Sequence, residues 1–186
     1  MSAFRQITTP LTEETVRSLH AGERVLLSGR VYTARDAAHK RLFGTLERGD
    51  ALPFELKGQM IYYVGPAPTK PGDVIGSAGP TTAGRVDDFT VPLLAQGLKG
   101  MIGKGKRSAL VRQAMIDYGA VYLVAVGGAA ALLADRIKQV ELIAYEDLGT
   151  EAIRCLTVEA FPLLVANDGY GADIYEQGKA EYRRLP

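Results

Sequence analysis

The chain is poor in the residues that build disulfides and metal sites. It has one cysteine, Cys155, in 186 residues, so no intrachain disulfide can form and this chain alone cannot offer a set of thiolates to a metal. Its two histidines, His20 and His39, stand far apart in sequence and show no metal-ligand spacing. An excess of either charge is missing too. Twenty-two Lys and Arg against 21 Asp and Glu leave a net charge of +1, so no overall field draws the protein to nucleic acid or a membrane surface. Any anion site must therefore be local. The longest apolar run, residues 120–134, is broken by Gly127 and Gly128 and is too short to cross a bilayer. The opening MSAFRQITTPLTEE has no apolar core of a secretory signal. These absences lead us to expect a soluble cytoplasmic protein with no nucleic-acid or membrane partner.

Familiar catalytic loops are absent as well. GKGKRS at residues 103–108 lacks the spacing of a phosphate-binding Walker loop. The glycines from 97 to 105 do not make the dinucleotide fingerprint, and Ser28, Ser77 and Ser108 all lack the GxSxG frame of a nucleophile elbow. His39 lies on an alanine-rich segment and reads first as a structural histidine; Cys155 reads as a packing residue. Asn167-Asp168-Gly169-Tyr170-Gly171 is a turn signal before it is a site.

The length suits one domain with a self-sufficient core. Thr12 is placed to cap a short helix beginning at Glu13, with Thr15 three residues on. Residues 24–33 read as a strand bent or bulged at Gly29, and residues 34–42 turn helical with Asp36 in the first turn. Strands are predicted at 60–65, 74–78, 101–103, 120–126, 140–145 and 163–167, and helices at 89–96, 109–118 and after Gly127-Gly128. The alternation from Val74 onward predicts an α/β fold with a partly parallel sheet in a single domain.

Three strand-to-helix junctions each carry a cation: Arg35 in TARDAAHK, Arg85 in GPTTAGR, and Lys104 with Lys106-Arg107 in GKGKR. In open α/β sheets ligands gather beyond the carboxyl ends of strands, so these cations are candidates to converge on one small polyanion. An arginine fork matches a carboxylate better than an ammonium does. The loop Gly79–Arg85 adds two hydroxyls, and its glycines and Pro80 are expected to shape a tight turn, with positive φ open to Gly79 and Gly84. A decorated surface turn is the simpler alternative.

The blocks LSGRVYTARDAAHKRL, YYVGPAP, GSAGPTTAGRVD, GLKGMIGKGKRS, GAVYLVAVGGAAALLA and AYEDLGTEAI follow one another through most of the chain. In that order they resemble the β subunit of class I, iron–sulfur-dependent fumarate hydratases and the related tartrate dehydratases, whose single-chain members carry this region as a C-terminal domain. The resemblance implies a swivelling β/β/α-type domain over residues 1–186 that closes on a 4Fe-4S cluster held by a separate α subunit. There one iron, left open by three cysteine ligands, acts as a Lewis acid on the substrate hydroxyl. It implies reversible hydration of fumarate to malate by the two subunits together, with this one inactive alone.

Carried over by position, Arg35, Arg85 and Lys104 match substrate-binding cations, and Thr81 matches the proposed general base, assisted from the α subunit. The interval between Arg85 and the lysine block is a residue shorter than in single-chain relatives, which leaves Lys106 as an alternative to Lys104. Gly84 resembles the fumarase pattern more than the tartrate one. Tartrate and mesaconate remain alternative substrates, and a non-catalytic dicarboxylate-binding domain the rival class. Pairing of two β subunits stays open.

Overall fold

Apolar residues at every second position decide which face of the sheet turns inward, because side chains alternate along a strand. The computed structural model describes residues 4–126 and 128–184, so Gly127 of the Gly127-Gly128 pair lies outside them. In chain order the elements are β1 (Arg5–Thr8), α1 (Glu13–Arg17), β2 (Arg24–Thr33), α2 (Asp36–Glu47), β3 (Met60–Tyr62), α3 (Asp87–Ala95), β4 (Gly100–Gly103), α4 (Ala109–Tyr118), β5 (Val121–Val124), α5 (Ala130–Asp135), β6 (Ile137–Ala144), β7 (Ile153–Asn167) and α6 (Ile174–Tyr182). Short 3₁₀ turns cover Ala83–Val86 and Glu146–Glu151.

The sheet runs β1-β2-β3-β4-β5-β7-β6, and β7 also pairs with β2. That extra pairing closes β2-β3-β4-β5-β7 into a five-stranded barrel. Strands β1 to β5 are parallel neighbours, whereas β7 runs antiparallel to β2, β5 and β6. The mixed α/β fold with a partly parallel sheet is thus what the chain forms.

Val25, Leu27, Tyr62, Ile102, Leu123 and Phe161 belong to one buried cluster, to which all five barrel strands contribute, and it fills the barrel. The intervening residues Ile61, Tyr63, Met101 and Tyr122 point outward, against Leu42 of α2, Leu93 of α3 and Met115 of α4. Each fully buried leucine or phenylalanine stabilises the fold by about 1.5–3 kcal/mol.

Local signals behave as read in several places. Thr12 Oγ1 accepts from Thr15 N at 3.1 Å and caps α1. The β2–β7 register shifts between Leu27 and Gly29, and Gly29 has φ +111°, a conformation that costs glycine little. Opposite that bulge, Ala160 N donates to Ser28 Oγ at 3.0 Å, so the irregularity is satisfied on both strands.

Two expectations need correction. Residues 74–78 form no strand. Gly76 packs on the proline-rich loop, where a Cβ would collide with Ala67 O, and the segment is held by Ala67 N to Ser77 O at 3.0 Å and Ala78 N to Ala130 O at 3.1 Å. The last strand begins ten residues before Leu163, at Ile153.

Candidate functional site

Because β2, β3, β4 and β5 are parallel, their carboxyl ends share one rim of the barrel, and the loops that follow must meet there. The Gly79–Arg85 loop is stitched between two of these ends. Thr81 N donates to Tyr63 O at 2.7 Å, Lys104 N to Thr81 O at 3.1 Å, and Ala83 N to Lys104 O at 2.8 Å. Thr82 and Lys104 form a parallel bridge, so Thr81 and Lys104 are backbone neighbours. Gly103 permits this approach: a Cβ there would lie 2.8 Å from the Tyr63 ring and 3.2 Å from Thr81 O.

Neither Gly79 nor Gly84 has positive φ, which corrects the expected reason for both glycines. Gly79 is small because a Cβ would press on Ala130 at 3.0 Å, the start of α5. At Gly84 a Cβ would meet only Lys106 O at 3.6 Å, an ordinary contact.

Arg35 follows the end of β2 and precedes α2 with extended backbone, and it offers the helix no side-chain cap. A cation cannot accept the free N–H groups of a helix start. Glu151 supplies that acceptor from the far side of the chain: its Oε2 takes Ala37 N at 2.9 Å, while its Oε1 stands 3.6 Å from Arg35 Nη2. Asp36 Oδ2 stands 3.7 Å from the same nitrogen. Both separations are ion-pair distances beyond hydrogen-bond reach, so the Arg35 guanidinium is flanked by charge without spending a donor on a described residue. Its Nε is buried and has no hydrogen-bond partner. Gly65 makes room for it, since a Cβ there would lie 2.8 Å from Arg35 Nη1.

Arg85, in the 3₁₀ turn, donates from Nε to Asp36 Oδ1 at 2.8 Å. One carboxylate therefore links two of the three cation-bearing junctions. Arg85 remains about half exposed, and Lys104 is exposed with no side-chain hydrogen bond or ion pair to a described residue. Thr81 is half-buried, and its hydroxyl has no partner among the described residues.

The GKGKR block divides. Lys106 is drawn to Glu176 of α6 at 2.7 Å, a pairing that raises its pKa. Arg107 turns inward and is buried. It donates from Nη1 to Tyr63 Oη and from Nη2 to Thr90 Oγ1, both at 2.8 Å. Its Nε lies 2.8 Å from Asp87 Oδ1, close enough to pair although not aligned for a hydrogen bond. Asp87 Oδ2 in turn accepts from Ser108 N at 2.6 Å.

His39 sits one turn beyond Arg35. Its Nδ1–H donates to Arg35 O at 3.0 Å and its ring meets Tyr63 edge-on at 5.2 Å, leaving Nε2 buried without a partner. Burial pushes its pKa down to about 4, so the ring is neutral at pH 7. Asp168 proves structural: Oδ1 accepts from Tyr170 N and Ala172 N, and Oδ2 from Ala21 N, each at 3.0 Å.

All four residues singled out in the sequence, Arg35, Thr81, Arg85 and Lys104, thus lie on one rim. The arrangement can hold a small anion with carboxylate groups on free guanidinium and ammonium donors. Sequence reasoning gave Asp36 only a helix-start role and overlooked Glu151 and Gly65. Asp36 could have been suspected from its place beside Arg35, whereas nothing local marks Glu151. The cleft beside α1 and the end of α4, lined by Val16, Lys99 and Tyr118, contains none of the four, and neither does that under α5. Arg85 and Lys104 on this rim are exposed, and Thr81 is half-buried.

Among the described residues, no group of three or more His, Cys, Asp or Glu side chains could hold a metal ion. Cys155 is buried, with Arg30 Nε 3.0 Å from its sulfur. The donors of this chain do not fit an iron–sulfur cluster. No helix among the described residues is long and apolar enough to cross a membrane.

Comparison with known proteins adds independent findings. The model of the family described as Fumarase C-terminus matches residues 4–178. A protein of Methanocaldococcus jannaschii, provisionally named L(+)-tartrate dehydratase subunit beta, is 40% identical over 94% of this chain and 93% of its own length. The aerobic class I fumarate hydratase of Salmonella typhimurium is 43% identical over 83% of this chain but 27% of its own length. The mitochondrial fumarate hydratase 1 of Leishmania major is 44% identical, over 83% of this chain and 28% of its own. The chain therefore spans nearly all of the first relative and little more than a quarter of the other two.

Proposed function

The chain belongs to the fumarase C-terminus family, and from that premise we propose that it is the β subunit of an iron–sulfur hydro-lyase interconverting fumarate and malate. Residues 1–186 form one domain of this type and are inactive without a cluster-bearing α subunit. The observation that carries the reading is the set of unsatisfied donors on the rim. Arg35 makes no hydrogen bond to a described residue, Arg85 spends only Nε, and Lys104 spends nothing. Such donors on one rim suit the carboxylates of a C4 substrate whose other face rests on a partner.

In the direction of dehydration, a proton leaves the carbon next to a carboxylate, and its electron pair forms the double bond as hydroxide departs from the neighbouring carbon. Charge builds on the carboxylate as the proton leaves, and Arg35, Arg85 and Lys104 stabilise it there. Thr81 Oγ1 takes the proton, or returns it in hydration. A threonine hydroxyl is a weak base, and the absence of a hydroxyl partner among the described residues of this chain fits an activating group contributed by the α subunit. An iron–sulfur cluster held by the α subunit would supply Lewis-acid assistance to the departing hydroxide, and no residue described here takes that role.

One observation favours a second substrate. The relative matched over 93% of its length carries a tartrate dehydratase name. Gly84 is where the two substrates diverge in this reading, and a Cβ there would make only an ordinary contact, with Lys106 O at 3.6 Å. Steady-state rates of the α–β complex, prepared without oxygen, on fumarate, mesaconate and tartrate decide between them; fumarate is expected to be fastest. Thr81→Ala in that complex is expected to lower kcat by about 10²–10⁴-fold. Arg85→Ala is expected to raise KM by about 10²-fold. Full activity in both variants, with the complex intact, would exclude the catalytic reading and leave a dicarboxylate-binding domain.

A further inference from the structure

Two guanidiniums placed side by side repel, and each has enough rotamer freedom to drift from a shared target. Asp36 answers both problems. Its Oδ1 takes the Arg85 Nε at 2.8 Å, and that bond leaves the two terminal nitrogens of Arg85 without a hydrogen bond to a described residue. Those two nitrogens form the end of the fork that receives a carboxylate in parallel bonds. Its Oδ2 lies 3.7 Å from Arg35 Nη2, close enough to neutralise and too far to consume a donor. Arg35 is fenced on its other sides by Glu151 Oε1 at 3.6 Å and by the bare Cα of Gly65. Glu151 is already committed through its second oxygen to Ala37 N, so Asp36 is the carboxylate that connects the two arginines.

An acid in the first turn of α2 also favours the helix dipole, but that role asks nothing of a residue 49 positions away. We propose that Asp36 is a positioning residue that sets the mutual orientation of Arg35 and Arg85 toward a substrate dicarboxylate. The proposal rests on the reading of those arginines as carboxylate ligands.

The test uses the α–β complex with Asp36→Ala and Asp36→Asn, each alone and combined with Arg85→Ala. It measures KM and kcat for fumarate, the melting temperature, and the calorimetric Kd of succinate as an unreactive dicarboxylate. Asp36→Ala is expected to raise KM and the succinate Kd together by about 10-fold, with kcat changed less than about threefold. Asp36→Asn, which keeps the shape and the Oδ1 acceptor, should give a smaller rise with an unchanged melting temperature. In the Arg85→Ala background, Asp36→Ala should shift KM by less than about threefold, because its one hydrogen-bonded arginine is gone and no pair remains to align. Multiplicative effects of the two substitutions would overturn the proposal, and so would an unchanged KM in Asp36→Ala and Asp36→Asn while Arg85→Ala raises it. An unchanged KM and kcat in Arg85→Ala itself would instead remove the underlying reading of the site.

Discussion

Arg107 and the pair Arg35–Arg85 begin as the same feature, a cation on a loop at the carboxyl rim of the parallel strands, and end with opposite fates. Arg107 is 4% exposed, and its three nitrogens face Tyr63, Thr90 and Asp87. Its guanidinium also lies over the rings of Tyr63 and Tyr122 at 5.3 and 5.2 Å. Arg35 and Arg85 keep most of their donors unspent. Charge and position in sequence do not separate the two cases. Hydrogen-bond satisfaction does: Arg107 is saturated by described residues, whereas Arg35 and Arg85 keep donors free of them, as the proposed carboxylate site requires.

That contrast can be broken at several strengths. The largest effect is expected at Arg107→Ala, which strands Asp87 as a buried, unpaired carboxylate and should cost about 3–5 kcal/mol in denaturant unfolding. A stability within about 0.5 kcal/mol of wild type would show that the saturated cluster is not structural.

His39 joins the two regions, bonded to Arg35 O and packed on Tyr63. Its folded pKa, about 4, lies below the ordinary 6.5. The folded state therefore binds fewer protons in that window, and stability is full above pH 6.5 and lost as pH falls toward 4. The difference amounts to about 3 kcal/mol. Unfolding at pH 7 and pH 4.5 should show this loss, and His39→Gln should flatten it. An equal loss in both proteins would assign the acid sensitivity to other groups.

The smallest effect is expected at Lys106→Ala. It removes an exposed, solvent-screened pair with Glu176 and should leave both the stability and KM for fumarate in place. Lys104→Ala should raise that KM. The reverse order would exchange the two lysines in the site.

Much of this was legible in the chain, for physical reasons that can be named. Thr12 and Gly29 act locally, and local chemistry reads directly from sequence. Strand–loop–helix order placed Arg35 and Lys104 at strand ends, whereas the strand expected at 74–78 does not form and Arg85 reaches the rim through the bonds of its loop to Tyr63 and Lys104. The first half of β7 was hidden because Glu159, Ala160 and Pro162 are poor strand formers in the middle of the run. Barrel closure was hidden because it depends on β7 pairing with β2 more than a hundred residues away. Glu151 reaches Ala37 across 114 residues and leaves no local trace. The inward turn of Arg107, beside two lysines that stay outside, follows from partners on α3 and just past the end of β3 that sequence spacing does not reveal.

In the proposed function the unsatisfied arginines form a substrate site and contribute little to the fold. The most direct measurement is kcat/KM for fumarate hydration, alongside the melting temperature, for Arg35→Ala in the α–β complex. We expect kcat/KM to fall by about 10²–10³-fold and the melting temperature to move by less than about 2 °C. Undiminished catalytic efficiency, or a fall matched by a loss of stability as large as that of Arg107→Ala, would contradict it.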